Sequence, residues 1–325
     1  MMNHFLSCDW GTSSFRLRLI ETEGLKVLAE IRSKQGIADT YRAWLEQKDS
    51  AERQAFYVRI IKNQIDELSQ QSDLQNDRLS LVGIPVLLSG MASSTIGLVD
   101  IPYKELPFTL DGSNLNIRII EEHSPENPLI VISGACTAND VMRGEETKVL
   151  GCAHYLGDTE KVLQLLMPGT HPKHILIERS ELRSFKTFMT GEFFDLLSGQ
   201  SVLSGSVRVG GHLKDRNCAK HFEDGVLKGA KDNILHASFI TRTRHVLDKV
   251  PEEYNYYYLS GLLIGAELKE LDETLPLYLV STGQHTSLYS EACAVLGINI
   301  QHIIDADEAL IRGQQVVFLS ICARQ

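Results

Sequence analysis

The chain has 325 residues, 43% hydrophobic and 23% charged, with a formal net charge of −10. That length holds two domains or one large α/β domain, and that composition fills a proper core. The acidic balance lacks the electrostatic footprint of a nucleic-acid or anionic-membrane binder, yet one local site can still oppose the global sign and take a small anion.

The six cysteines, Cys8, Cys136, Cys152, Cys218, Cys293 and Cys322, show neither C-x-x-C pairing nor zinc spacing. In a chain this large they read as reduced, buried thiols. The first apolar run ends at Asp9, too short for a signal peptide and without a basic start, and no segment approaches a membrane span. A soluble cytoplasmic protein is expected.

The opening stretch, Phe5 to Glu21, reads as strand, turn and strand, and Lys26–Ser33 as a third strand. Helical periodicity runs from about Tyr41 to Ser69, through Trp44, Phe56, Ile60, Ile61, Ile65 and Leu68. Gln70–Arg78 is a polar loop. Leu81–Met91 is a buried strand ending in Ser-Gly, where α/β sheets place ligands. Gly97–Phe108 holds two prolines and reads as an ordered loop, followed by two strands, "LNIRIIEE" and "PLIVISGAC". A helix is predicted over Thr137–Leu156, capped by Thr137 or Asn139. Lys161–Glu178 repeats the strand-turn-strand device, and "SFKTFMTGEFFDLLSGQSVL" reads as a turn and helix. Glu223–Leu271 is mostly helical, Pro276–Ile298 is strand, Gly turn and helix, and a last helix starts near Asp305.

The first turn concentrates chemistry. Phosphate requires several N–H and O–H donors converging on one point. Gly11 lets the backbone approach closely, Thr12, Ser13 and Ser14 bring hydroxyls, and Asp9 can hold Mg²⁺ through water. Arg16 follows on the exit strand, whose alternation excludes a Walker P-loop. A solvated hairpin explains the same residues. The second turn, Pro168-Gly169-Thr170-His171, sits likewise between two apolar strands. Gly283, after a strand and opening a helix, is a third element. Arg143, Lys173, Ser93 and Ser94 are polar candidates whose bland readings are a solvated lysine and turn serines. Glu145 or Glu146 orders Arg143 or holds Mg²⁺. His171 contacts ligand or is a structural histidine, and Glu192 reaches a ligand or merely starts a helix.

Two phosphate hairpins followed by a Gly turn at an adenosine resemble the plan of the actin, hexokinase and sugar-kinase superfamily. "AND" at Ala138–Asp140 resembles the Asn-Asp of its sugar kinases, whose Asp is the catalytic base. More specifically, "DWGTSSFR", "SGMASSTIGLVDIPY", "NDVMRGEETKVLG", "MPGTHPKHI", "FKTFMTGEFFDLL" and "LSGLLIGAE" resemble the 2-dehydro-3-deoxygalactonokinase family, in that family's order. The resemblance implies two ribonuclease-H-like α/β domains, 1–136 and 137–325, with a nucleotide cleft between them and the last helix packing back. It implies ATP-dependent phosphorylation of 2-dehydro-3-deoxy-D-galactonate at its terminal hydroxyl, in galactonate catabolism. Asp140 and Arg143 would be catalytic. Asp9, Gly11, Thr12, Ser13, Ser14, Arg16, Gly169, Thr170, His171 and Gly283 would bind the nucleotide, with Mg²⁺ on Asp9. Ser93, Ser94, Lys173 and Glu145 would face the sugar acid. The carboxylate of that keto acid would take its partners from Arg143, Lys173, Ser93 and Ser94. The partners are small molecules, and a homodimer is left open. Leu98 and His174 depart from the family pattern, which keeps another sugar acid such as 2-keto-3-deoxygluconate as an alternative. A nucleotide-binding sensor without transfer is the other.

Overall fold

Phe5, Leu6, Cys8 and Trp10 are wholly buried, so the first strand is covered on both faces, as its near-continuous apolar run requires. The computed structural model describes residues 3–47, 52–71, 79–121, 126–157 and 161–323. The polar stretch after Gln71, up to Arg78, lies outside them. The chain forms two compact units. Unit 1 comprises Met1–Asp158, Ser180–Arg183 and Asp307–Gln325; unit 2 comprises Thr159–Arg179 and Ser184–Ala306. The first unit thus runs on to 158, where the sequence reading set a boundary at 136.

In unit 1, β1 (His4–Trp10), β2 (Phe15–Glu21) and β3 (Val27–Ser33) form an antiparallel meander. β4 (Val86–Gly90) lies parallel to β1 on its other side, and β8 (Leu129–Ile132) lies parallel to β4. The resulting order is β3-β2-β1-β4-β8, with β7 (Ile117–Ile120) as an antiparallel edge. Helix α2 (Arg53–Ser69) buries Tyr57, Val58, Ile61, Ile65 and Leu68 in the core shared with this sheet. The helical patterning over about 41–69 corresponds to two helices, α1 (Ile37–Leu45) and α2.

In unit 2, β11 (Leu163–Met167) and β12 (Lys173–Glu178) pair antiparallel. β14 (Leu277–Ser281) is parallel to β11, and β15 (Ile300–Asp305) is parallel to β14. With β13 (Glu181–Thr187) the order is β13-β12-β11-β14-β15. With the antiparallel edge strand β7 left aside, each unit's strands counted in chain order read 3-2-1-4-5, which is the ribonuclease-H-like order the sequence led us to expect. Over this sheet's core, α5 (Arg216–Lys231) and α7 (Glu252–Leu268) approach so closely that their glycines are obligatory. A Cβ at Gly229 would lie 1.9 Å from the Leu262 carbonyl oxygen, and one at Gly265 would lie 2.2 Å from that of Val226.

Two local expectations are corrected. "SFKT" belongs to strand β13 rather than to a turn; ahead of the last helix, α9 (Ala306–Cys322), residues 300–305 form the further strand β15. The predicted helix over 137–156 shrinks to α3 (Glu145–Cys152). Before it, β9 (Ala135–Cys136) and β10 (Val141–Met142) make a small hairpin, with Thr137 and Asn139 bonding each other in its turn. The helix cannot start earlier because Gly144 stands at its N-terminus with φ +107°, a conformation that ends any helix arriving from upstream.

Candidate active site

Unit 1 gathers its predicted residues around the end of β1. Asp9 and Arg16 face each other across the hairpin, and Gly11 N–H donates to the Ser14 carbonyl at 2.9 Å, closing a tight turn. The turn is anchored from behind. Ile37 and Ala38 N–H, at the start of α1, donate to the Gly11 and Thr12 carbonyls at 3.0 and 3.1 Å, and Trp10 Nε1 donates to the Gln35 carbonyl at 3.0 Å. Gly36 touches the turn so closely that a Cβ there would lie 2.3 Å from the Thr12 oxygen. The loop carbonyls therefore point inward, and the side chains of Thr12, Ser13 and Ser14 are exposed. Arg16 is held by Asp307 through two bonds of 2.7 Å and reaches Asp9 at 3.3 Å. Burial works to lower the Arg16 pKa, but Asp307 and Asp9 outweigh it and raise it. Asp307 sits below the usual carboxylate range: burial opposes its ionisation, and Arg16 and Arg18 overcome that.

Gly90, at the end of β4 with φ +88°, lets three segments converge. A Cβ there would lie 2.8 Å from the Trp10 carbonyl oxygen and 3.6 Å from Asp9 Oδ1. A Cβ on Gly144 would in turn lie 3.3 Å from Gly90 Cα. Next to Gly144, Arg143 donates to the Ser93 carbonyl and hydroxyl at 2.6 and 2.7 Å and lies over the Tyr103 ring at 4.2 Å. Ser93 is wholly buried and engaged by Arg143; Ser94 is 5% exposed and donates to the Met91 carbonyl. Asp140 lies in the turn before β10, not on a helix, and its Oδ1 accepts the Val141 N–H at 2.7 Å. Asp140 and Arg143 thus flank β10. Glu145 accepts the Arg143 N–H at 3.2 Å.

A buried polar chain underlies this turn. Gln314 on α9 donates to Ser89, Ser89 lies 3.2 Å from the Thr147 hydroxyl, Thr147 donates to Glu146, and Glu146 accepts the Gly144 N–H at 2.7 Å. Burial and the Glu145 charge raise the Glu146 pKa to about 7. Leu98 is 2% exposed and belongs to the unit 1 core.

Unit 2 carries a cavity of about 250 Å³. Gly169 and Thr170 of the second hairpin frame one side, and Thr190 and Gly191 at the start of α4 (Thr190–Gln200) another. Tyr256, Leu263 and Ile264 of α7 and Gln284, His285 and Tyr289 of α8 (Gly283–Leu296) complete the wall. Gly283 opens α8 with φ +59°, and the residues after it line the cavity. Burial lowers the His285 pKa. The hairpin rests on α4: Glu192 N–H donates to the Thr170 carbonyl at 3.1 Å, and His171 Nε2 lies 2.6 Å from Glu192 Oε2. Lys173 is 3% exposed, and its Nζ donates to the His171 carbonyl at 2.6 Å, so it sits beneath the loop rather than in solvent.

Sequence reasoning missed Glu267. It is 2% exposed and takes bonds from His174 Nε2 at 3.1 Å, Tyr289 hydroxyl at 2.8 Å and the Thr190 hydroxyl. Its signal was present: one carboxylate inside the apolar run "LLIGAEL". Asp307 had no comparable signal, lying 291 residues from Arg16.

A five-strand order repeated in two units, each repeat opening on a glycine-and-hydroxyl hairpin, is the architecture of the actin/hexokinase-like kinases. A family model described as 2-keto-3-deoxy-galactonokinase matches residues 9–317. A Rhizobium meliloti protein named a probable 2-dehydro-3-deoxygalactonokinase is 30% identical over 320 residues, 95% of each chain. The Escherichia coli 2-dehydro-3-deoxygalactonokinase is 30% identical over 225 residues, 66% of this chain and 72% of its own. The crystal structure of a Sinorhizobium meliloti protein, provisionally named for the same activity, superposes with a TM-score of 0.79 at 28% identity, covering 98% of this chain and 96% of that one. The chain belongs to the 2-keto-3-deoxy-galactonokinase family and is a phosphotransferase.

Proposed function

We propose that the protein transfers the γ-phosphoryl group of ATP to the terminal hydroxyl of 2-dehydro-3-deoxy-D-galactonate, in galactonate catabolism. The observation that carries this reading is the repeated sheet order with a phosphate-type hairpin in each unit, taken with the family.

In unit 2 the cavity receives the nucleoside, and the Gly169–Thr170 hairpin with the first N–H groups of α4 offers donors to phosphate. In unit 1 Thr12, Ser13 and Ser14 present hydroxyls outward, while Arg16, neutralised by Asp307, fixes the orientation of Asp9. Mg²⁺ fits Asp9. Its side chain is 31% exposed, and no group of three His, Cys, Asp or Glu ligands exists among the described residues. A single carboxylate plus waters and phosphate oxygens is the donor set Mg²⁺ prefers. When bound, the ion neutralises charge on the phosphates. Asp140 accepts the proton of the attacking hydroxyl. Arg143, clamped by Ser93 and stacked on Tyr103, pairs with the substrate carboxylate. Glu145 holds the Arg143 backbone, and Ser94 and Lys173 act from below the surface by shaping their loops. Six unpaired cysteines, four of them buried, favour a reducing cytoplasmic compartment. Among the described residues no helix is long and apolar enough to cross a membrane.

The test is ADP release with Mg·ATP and a panel of 2-dehydro-3-deoxygalactonate, 2-keto-3-deoxygluconate and simple hexoses. Selective turnover of the galactonate compound supports the proposal. Turnover of the gluconate compound alone would move the substrate and keep the chemistry. Leu98 and His174, whose departure from the family pattern motivated that alternative, are both buried.

A further inference from the structure

The Glu267 carboxylate lies behind the unit 2 cavity and fixes the direction of two hydroxyls belonging to wall residues. Thr190 and Tyr289 both donate their protons to Glu267 Oε2, and both residues line the cavity. The ring of His174 completes the cluster from β12, through Nε2 to Oε1 at 3.1 Å. Among the described residues its Nδ1 is buried without a hydrogen-bond partner, so Nε2 is the ring nitrogen engaged with Glu267. A carboxylate accepts and never donates. Three donors from three different elements, two of them on cavity-lining residues, therefore converge on one residue of α7. The α5–α7 glycine contacts beside Gly265 hold that helix in place.

The consequence for a ligand is one of polarity. A hydroxyl that has given its proton to Glu267 can only accept from whatever fills the cavity. We infer that Glu267 makes the wall at Thr190 and Tyr289 an acceptor-only surface, selecting a nucleotide that presents an O–H or N–H donor there, and is thus a positioning residue for nucleotide specificity. The inference rests on the reading of the cavity as the nucleoside site. The donor is a ribose hydroxyl or the amino group of the base, which share this chemistry.

Direct binding of ATP, 2′-deoxy-ATP, 3′-deoxy-ATP and inosine triphosphate to the purified full-length protein separates these sources. Each analogue lacks one of ATP's donors, the 2′-OH, the 3′-OH or the 6-amino group, the last being replaced in inosine triphosphate by a carbonyl beside an N1–H. Wild type should bind one of the three about three- to tenfold more weakly than ATP, the worth of one neutral hydrogen bond. Glu267→Gln keeps the shape but places an amide N–H₂ against Thr190, which turns that hydroxyl round. It should shrink that ratio toward one while the KM for the sugar acid stays at the wild-type value. Thr190→Val, which removes the hydroxyl without touching the carboxylate, should shrink it as well. Equal affinity of wild type for all four nucleotides overturns the inference. So does a Glu267→Gln variant that weakens all four by the same factor, the mark of a purely structural carboxylate. Failure of wild type to bind ATP at all overturns the reading of the cavity, and the inference with it.

Discussion

Replacing Gly191 with alanine puts a methyl group into the contact between α4 and the second hairpin. That Cβ would lie 2.6 Å from the Gly169 carbonyl oxygen, 2.7 Å from Thr170 Cα and 3.0 Å from the Thr170 oxygen. All three are backbone atoms, so no side chain can swing aside. Reaching ordinary contact near 3.5 Å requires the hairpin and helix to part by roughly 0.9 Å. That movement stretches the 3.1 Å bond from Glu192 N–H to Thr170 and displaces the hairpin that frames the cavity. Overpacking of this kind costs about 1–3 kcal/mol, and displacement of a ligand-holding group by ~1 Å costs up to ~10²-fold in rate. The kcat/KM for ATP should fall about 5- to 150-fold, with the KM for the sugar acid little changed. Steady-state ADP release with each substrate varied in turn measures both. Gly199→Ala, on the same helix, is the control: nothing lies within 4 Å of its Cβ, and the change should be neutral or stabilising by about 0.5–1 kcal/mol. Wild-type kcat/KM for ATP in Gly191→Ala, with an unchanged Tm, would refute the reasoning.

Arg143→Lys keeps the charge but loses the planar group stacked on Tyr103 and bonded twice to Ser93; the KM for the sugar acid should rise at least about tenfold with the KM for ATP unchanged, by the same assay. Glu146, with its folded pKa raised to about 7, binds more protons folded than unfolded between the ordinary carboxylate pKa and 7, so it makes stability fall as pH rises through that window. The shift corresponds to at most about 3 kcal/mol, and denaturant titrations should show Glu146→Gln gaining on wild type between pH 5 and about 8. A constant difference across that range would contradict the placement of Glu146. Asp307 works in the opposite sense: its depressed pKa stabilises the fold above the unfolded carboxylate pKa and loses that contribution as pH falls through the folded value. Asp307→Asn should therefore cost about 1–3 kcal/mol at pH 7 and progressively less in acid, by the same titrations.

The parts of the fold written in local sequence were legible. Strand, turn and strand are all encoded within Phe5–Glu21 and again within Lys161–Glu178, and both hairpins formed where they were expected. The failures came where strand pairing outweighed the helical signal of single residues. Thr137 and Asn139 are good caps, but Val141 and Met142 pair back onto Cys136 and Ala135, and Gly144 then restarts the chain. Residues 300–305 gain their strand character by lying parallel to β14, which the run "NIQHIIDADEAL" does not announce. In the candidate site, Asp9, Arg143, Gly169 and Thr170 can be picked from the sequence because their residue types suit phosphate and carboxylate ligands. Two carboxylates beside it cannot: Asp307 meets Arg16 from the far end of the chain, and Glu267, which holds Thr190 and Tyr289, looks like one charge in an apolar helix. Lys173 shows the converse, a residue picked for its charge that the fold places under a loop.

The most direct test of the whole account is ³¹P NMR of the product formed from Mg·ATP and 2-dehydro-3-deoxy-D-galactonate, with wild type and Asp140→Asn side by side. The account predicts a phosphomonoester signal coupled to the two protons of the terminal carbon, formed by wild type and reduced at least about 10²-fold in the variant. ADP and inorganic phosphate without the ester, an ester at another carbon, or full activity in Asp140→Asn would contradict it.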